Sequence, residues 1–444
     1  MATSASTQVR EGWQELPLIE CTSDRQISYG VVQPGFPVTD GVPIVRVNNL
    51  VNGRIITHDA MRIAPEIDYT HRRTKLRGGE IVISLVGTTG SVAIVPDELT
   101  GWNVARAIAV IRPDEKIGAS WLKLCLESSQ TREYLDARAN TTVQKTLNLK
   151  DVKLLPIPLP PPHWRQEILS LISPIENAIN NLVDENRSLE SVAQTIFKSW
   201  FVDFDPVRAK AEGREPEGID ADTAALFPDG FQDSELGEIP YGWSVSTIKE
   251  LACNIQYGFT TSAKAEVIGP KFLRITDIQG GQVNWSKVPY CIASEAEYDR
   301  YRLRPHDIVV ARTGASTGEN IYLPVVPDAV FASYLVRFQF DHPAVARLVG
   351  AFMRTTAYCD FVQNSIGGSA QPNASAQVLA GAKLVLPTPV LLRQFAEIVE
   401  QLDEKLWHNV AQSITLADVR DTLLPRLISG KLRVPKAEAM LTAV

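Results

Sequence analysis

Apolar positions along residues 163–204 alternate spacings of four and three: Ile168, Ile172, Ile175, Ile179, Leu182, Asn186, Leu189, Ala193 and Ile196. That is a heptad-like stripe on one face of a long helix, and such a stripe needs another helix against it. A second stripe in the same phase follows 227 residues later, through Phe395, Val399, Leu402, Leu406, Leu416 and Leu423, interrupted by the polar Asn409, Ser413 and Arg420. Each stripe alone reads as an ordinary amphipathic core helix. The match between them predicts a helix pair that spaces two copies of something. Within the first helix, Ser173-Pro174-Ile175-Glu176 has the order N-cap, first-turn proline and capping-box acid, which predicts a kink or restart.

The segments before the two helices repeat as well. Gly12-Trp13 is answered by Gly242-Trp243, Tyr29-Gly30 by Tyr257-Gly258, and Ile44-Val45-Arg46-Val47 by Phe272-Leu273-Arg274-Ile275. Gly79 to Ile83 is answered by His306 to Val310, Gly87 to Gly90 by Gly314 to Gly318, and Leu154 to Pro158 by Leu384 to Pro387. One unit is thus written twice. The β-branched runs Ile81 to Val86 and Ile308 to Ala311, each ended by Gly/Thr/Ser turns, predict strands. Residues Ser120 to Arg138 and Ala344 to Gln363 carry helical spacing. The fold class is α+β, with mixed, strand-rich heads. The proline run 156–162 predicts a stiff extended hinge into the helix. The boundaries that follow are a first head at 1–162, a long helix at 163–204, a polar and acidic linker at 205–240, a second head at 241–390, a second long helix at 391–432, and a loose tail at 433–444.

The chain has 444 residues, enough for two or three domains, and a formal net charge of -7, which argues against a uniformly basic nucleic-acid binder but not against local basic patches. The five cysteines are scattered, as expected of reduced thiols in a cytoplasmic protein. No signal-peptide plan or membrane-length apolar run is present. Catalytic chemistry finds no support. Methyltransferase cofactor and base-flipping motifs are missing, as is a phosphate loop. The match Pro113-Asp114 with Asp151-Val152-Lys153 to a nuclease motif is a common chance pattern. The six histidines lack paired ligand spacing.

The helix exit Ser199-Trp200-Phe201-Val202-Asp203-Phe204-Asp205-Pro206-Val207-Arg208-Ala209-Lys210, the stretch Ser234-Glu235-Leu236-Gly237-Glu238-Ile239-Pro240 and the ending Leu424-Pro425-Arg426-Leu427-Ile428-Ser429-Gly430-Lys431 resemble a known family. It is that of the specificity (S) subunits of Type I restriction-modification enzymes, and the resemblance covers essentially the whole chain. It implies two pseudo-twofold-related target-recognition domains separated by two long antiparallel helices, each domain reading half of a bipartite site in double-stranded DNA. It implies two modification (methyltransferase) subunits as partners, with two restriction (translocase/endonuclease) subunits able to add to them. It implies no catalysis and no cofactor in this chain, S-adenosylmethionine belonging to the methyltransferase partners. A helix of ~35–40 residues is ~55 Å long at ~1.5 Å per residue. That length spans ~16 base pairs of DNA at ~3.4 Å each.

Cations before the predicted central strands, Arg72, Arg73, Lys75 and Arg77 in the first head and Arg300, Arg302 and Arg304 in the second, are the candidates for phosphate contact. A solvated charged edge is the plain alternative. The turn after that strand supplies Thr88, Thr89 and Ser91, or Arg312, Thr313, Ser316 and Thr317, as base readers; simple turn chemistry is their alternative. Gln144, Lys145 and Gln371 lie in a polar loop near the hinge. Tyr29 and Tyr257 are candidates for stacking or backbone contact, or else core strand residues. Trp200, Phe201 and Phe204 are candidate partner anchors, or else buried against the neighbouring head. The competing function is a scaffold without DNA, with two protein-binding heads on a coiled coil, supported by the negative net charge.

Overall fold

A computed structural model describes residues 12–441, apart from residues 52, 59, 87–88, 139, 142–144, 265, 279–280, 282, 286 and 367–372. Of its two units, only the second is one continuous stretch. Unit 1 is Met1–Leu182 with Gln412–Val444, and unit 2 is Val183–Ala411. Both divisions fall inside helices of 40 residues, Pro162–Phe201 and Pro389–Ile428. Each unit therefore holds one head, the first half of that head's own long helix, and the second half of the other.

In unit 1, β1 (Gln14–Pro17), β2 (Thr22–Tyr29), β3 (Ile81–Ser84), β4 (Val92–Ile94) and β5 (Ile108–Pro113) precede helix α1 (Ala119–Glu127), strand β6 (Pro156–Leu159) and the long helix α2 (Pro162–Phe201). The main sheet runs β2-β5-β3-β4, antiparallel throughout. Its central run Ile81-Val82-Ile83 is apolar without alternation because both faces are covered. Ile81, Ile83, Ala109 and Ile111 pack toward Trp121 and Leu122 of α1, while Val82, Ile108 and Val110 pack against Leu76, Val95 and Leu99 on the other face. The proline hinge forms β6, which pairs with β1 from Gln14↔Leu159 to Pro17↔Pro156. Only an edge position tolerates that many residues without an amide donor. The helical stretch predicted from Ser120 is two helices, because the Ser128 hydroxyl accepts the Thr131 amide and starts a new one, Ser129–Asp136.

Unit 2 repeats the plan with β7 (Ser244–Thr247), β8 (Asn254–Tyr257), β9 (Asp307–Ala311), β10 (Asn320–Leu323), β11 (Leu335–Gln339), α3 (Pro343–Met353), β12 (Lys383–Leu386) and the long helix α4 (Pro389–Ile428). The sheet order β8-β11-β9-β10 is that of unit 1, in the same register: Ile308 lies opposite Phe338 as Ile81 lies opposite Ile111. β7 pairs with β12 as β1 pairs with β6.

The long helices run antiparallel within each unit. In unit 1, Ile168 and Ile172 of α2 share a core with Leu423, Leu424, Leu427 and Ile428 of α4. In unit 2, the Phe201 and Phe395 rings meet edge-on at 4.9 Å, and Phe197 and Trp200 join them. Each head also grips its helix through charge. Glu176 on α2 takes Lys123 of α1 at 3.8 Å, and Asp403, 227 residues later, pairs with Arg347 of α3. α2 continues through Pro174 without a restart, its first half held by this packing.

Two stretches read as loose are built into cores. Residues 205–240 form helix Asp205–Ala211 and a hairpin of Phe231–Ser234 with Gly237–Pro240, burying Val207, Phe227 and Ile239 in unit 2. The expected tail is helix Val434–Leu441, whose Val434 and Ala437 enter the unit 1 core. Residues 205–240 are mostly polar and the last segment is short, so local pattern gave little sign of a core they only complete.

The polar break in the stripes is a matched pair. Asn186 and Asn409 are 4% and 1% exposed, and the Asn409 amide donates to Asn186 Oδ1 at 3.0 Å and to Glu185 Oε2 at 2.8 Å. Asn409→Ala strands the buried Asn186 and is expected to cost ~1–3 kcal/mol, whereas Asn186→Leu with Asn409→Leu should be near neutral. Denaturant unfolding of the single and double variants checks this; additive losses would contradict it.

Candidate nucleic-acid interface

The site in each head forms at one end of the main sheet, where β2 or β8 finishes in Tyr-Gly. The glycine is there because another backbone crosses it. A Cβ on Gly30 would lie 2.2 Å from the Val104 carbonyl oxygen, and one on Gly258 would lie 2.2 Å from that of Ala332. The chain then forms a parallel bridge, Val31↔Ala105 in one head and Phe259↔Ala332 in the other. This crossing fixes the preceding tyrosine at the sheet end, and each tyrosine ring carries a guanidinium: Arg106 over Tyr29 at 5.9 Å, Arg312 over Tyr257 at 4.8 Å. The two arginines come from different loops, Arg106 before β5 and Arg312 after β9.

Tyr29 is half-buried, while Tyr257 is exposed, its hydroxyl accepting the Ala376 amide at 2.9 Å. Arg312 also donates to Asn373 Oδ1 at 3.2 Å. Thr313 forms an isolated bridge with Asn373. Ser316 and Thr317 are buried, and the Thr317 hydroxyl donates to the Gly314 carbonyl at 2.7 Å, so turn chemistry occupies it. In head 1, Thr89 and Ser91 are half-buried in the turn between β3 and β4, with the Ser91 amide donating to Ser84 Oγ at 2.9 Å. Thr88, Gln144 and Gln371 lie outside the described residues. Lys145 is in a short strand with Thr146, opposite Asn140–Thr141.

The basic segments leading into β3 and β9 divide into exposed cations and structural ones. Arg72, Arg73 and Arg77 are exposed, with Arg72 resting over the Tyr69 ring at 5.3 Å. Lys75 differs: its ammonium pairs with buried Asp68 at 2.8 Å, and Asn103 donates to the other carboxylate oxygen. In head 2, Arg300, Arg302 and Arg304 are exposed. Each segment ends in a buried acid at the start of the central strand. Glu80 accepts the Arg77 amide at 2.9 Å, and Asp307 accepts the Arg304 amide at 2.9 Å. Arginines from the neighbouring strand stand beside them, Arg112 at 3.7 Å from Glu80 and Arg337 at 3.6 Å from Asp307. Burial pushes the Asp307 carboxyl up and the Arg337 guanidinium down from their ordinary values, the mutual attraction opposing both shifts.

The sequence reading did not single out Arg106 or Tyr334, which is exposed beside Arg312 and gives its carbonyl to the Arg312 amide. Nothing marks them locally; chain crossings put them there. Trp200, Phe201 and Phe204 are 3%, 4% and 7% exposed inside the unit 2 core, the alternative placement for them. Among the described residues, no group of three or more His, Cys, Asp or Glu is arranged to hold a metal, and no helix is long and apolar enough to cross a membrane.

Residues 38–191 match the Type I restriction modification DNA specificity domain. The chain is 32% identical over 200 residues to the EcoBI specificity subunit of Escherichia coli, an alignment spanning 43% of this chain and 42% of that one. It is 24% identical over 415 residues to the HindI specificity subunit of Haemophilus influenzae, covering 80% of this chain and 87% of the relative. The Type I S subunit of M. genitalium, known as a crystal structure, superposes with a TM-score of 0.46 at 15% identity, over 96% of this chain and 99% of that one. The matched domain is one of DNA specificity. The chain is similar to specificity subunits of Type I restriction enzymes, and residues 38–191 carry their DNA specificity domain.

Asp307→Ala leaves Arg337 buried without its acid and uncaps the Arg304 amide. Loss of one partner of a buried pair is expected to cost ~3–5 kcal/mol. Denaturant unfolding measures it, and a loss below ~1 kcal/mol would show that the acid is not structural.

Proposed function

We propose that this chain is the non-catalytic DNA-reading subunit of a Type I restriction-modification complex. Each head reads one half of a bipartite, asymmetric target, and the paired helices set the separation of the half-sites. Two methyltransferase subunits dock on the chain, using the outward faces of α2 and α4, and supply S-adenosylmethionine chemistry; two restriction subunits can join them. The observation that carries the reading is the repeated sheet end: tyrosine, glycine crossing and guanidinium recur in both heads on one frame, while the surrounding loops differ. One frame with two different edges suits two different half-sites. Exposed Arg72, Arg73 and Arg77, or Arg300, Arg302 and Arg304, hold phosphates, which carry no sequence information but fix the register of the readers.

The complex with its modification partner is expected to bind one split sequence far better than random DNA. Sequence-independent binding would sink the reading, and affinity without salt dependence would favour a protein-binding scaffold. Replacing Arg72, Arg73 and Arg77 together by Gln should weaken binding to all sequences alike. It should flatten the slope of log K against log salt by roughly 3, at ~0.9 for each phosphate left with its counterions. Lys75→Gln, already paired with Asp68, should leave that slope unchanged. A salt titration on cognate and random duplexes measures both.

A further inference from the structure

Each head carries a second feature that the repeat reveals. Eleven residues after the first crossing glycine comes another glycine pressed against a backbone: a Cβ on Gly41 would sit 2.2 Å from the Ile63 carbonyl oxygen, and one on Gly269 would sit 2.4 Å from that of Cys291. The segments 31–40 and 259–268, the latter described except at residue 265, are therefore of equal length and held at both ends by positions that admit no side chain. Both present apolar side chains to water. Phe36 is 92% exposed, and in the other head Val267 is 78% exposed, with Ile268 beside it exposed as well. A singly exposed apolar side chain is ordinary on a protein surface; what sets these apart is a backbone anchored on both sides that holds them outward.

The loop in head 1 is built to hold Phe36 out. It reads Pro34-Gly35-Phe36-Pro37, and the prolines limit its backbone freedom. Gly35 rests against Ile67, whose Cδ1 is 3.3 Å from where a Cβ would be. The loop starts at Val31, whose carbonyl accepts the Arg106 amide at 2.7 Å. It ends at Gly41, whose carbonyl accepts from the Arg62 guanidinium at 2.9 Å. Exposed Arg62 and Arg106 thus stand at the two ends of the loop; the exposed acids nearby in sequence are Asp40 and Glu66. Cations around a stiff apolar tip complement a charged backbone with apolar base edges behind it.

We propose that segments 31–40 and 259–268 are groove-entering fingers, and that Phe36 in one head and Val267 with Ile268 in the other make apolar contact with base edges of their half-sites. They are specificity-determining residues, distinct from the phosphate-holding arginines. This inference rests on the DNA-reading function proposed above. The differing tips, one aromatic and one aliphatic, add to the asymmetry of the target.

The test maps DNA methylation in cells carrying the chain and its modification partner, then titrates the purified complex with salt on the mapped target and on random duplex. Phe36→Ala is expected to cut the preference for target over random DNA by roughly tenfold, the effect of a single mismatched base pair. The slope against salt should stay unchanged, because no charge is removed. Phe36→Leu should recover part of the preference. Val267→Ser with Ile268→Ser should relax only the other half-site in the methylation map. Because the Phe36 ring stands in solvent, its replacement should leave the unfolding transition in place. If wild type is sequence-specific and Phe36→Ala keeps the same preference, the finger assignment fails alone. Loss of co-purification with the methyltransferase on Phe36→Ala would instead make the tip a protein contact and overturn the assignment. If wild type itself lacks preference, the DNA-reading function fails and the fingers with it.

Discussion

The apolar stripes of α2 and α4 are the constraint on which the rest depends. Neither helix can expose its stripe to water, and burying each large aliphatic or aromatic side chain contributes ~1.5–3 kcal/mol. Each half of the pair is closed by a head, with Ile168, Ile172, Leu423 and Leu427 in unit 1, and Phe197, Phe201, Phe395 and Val399 in unit 2. A head without both helices would leave part of its own apolar core uncovered. This is why unit 1 takes in residues 412–444, far from its head in sequence, and why the stretches after both helices fold onto cores. The Asn186–Asn409 pair is a polar exception inside the stripe, satisfied only in one alignment of the two helices. A shift by one heptad would place Asn409 opposite aliphatic or alanine positions, and each buried amide would lose its partner.

The heads separate frame from edge. Their frame is held by short-range locks that recur. The Arg46 amide donates to Asn49 at 2.8 Å where the Arg274 amide donates to Asp277 at 2.9 Å, and Glu80 and Asp307 cap the amides three residues before them. These groups are directed inward and leave little freedom to vary. The edge is built of groups whose backbone is fixed and whose side chains are free to differ: Tyr29 with Arg106, Tyr257 with Arg312 and Tyr334. Two different surfaces thus stand on one architecture. The charge of the whole chain, -7, is a poor guide to either surface, since acids such as Asp68, Glu80 and Asp307 are buried and paired with cations of the same head.

The sequence by itself determined the duplication, the long helices and the central strands, because periodicity and repeat are local properties written in the order of residues. It also placed Tyr29-Gly30 and Tyr257-Gly258 in register, without giving the reason. It could not tell Lys75 from Arg72, since the difference lies in Asp68 and Asn103 arriving from elsewhere in the chain. It read residues 205–240 as a linker and 433–444 as a tail, since the apolar residues of such segments gain meaning only from a core supplied by other parts of the chain. Tertiary structure alone decided that the glycines are crossing points, that Trp200, Phe201 and Phe204 are interior, and that Arg106 belongs with Tyr29. In each case the deciding contact joins residues distant in sequence, and burial and backbone approach are properties of that contact rather than of either residue.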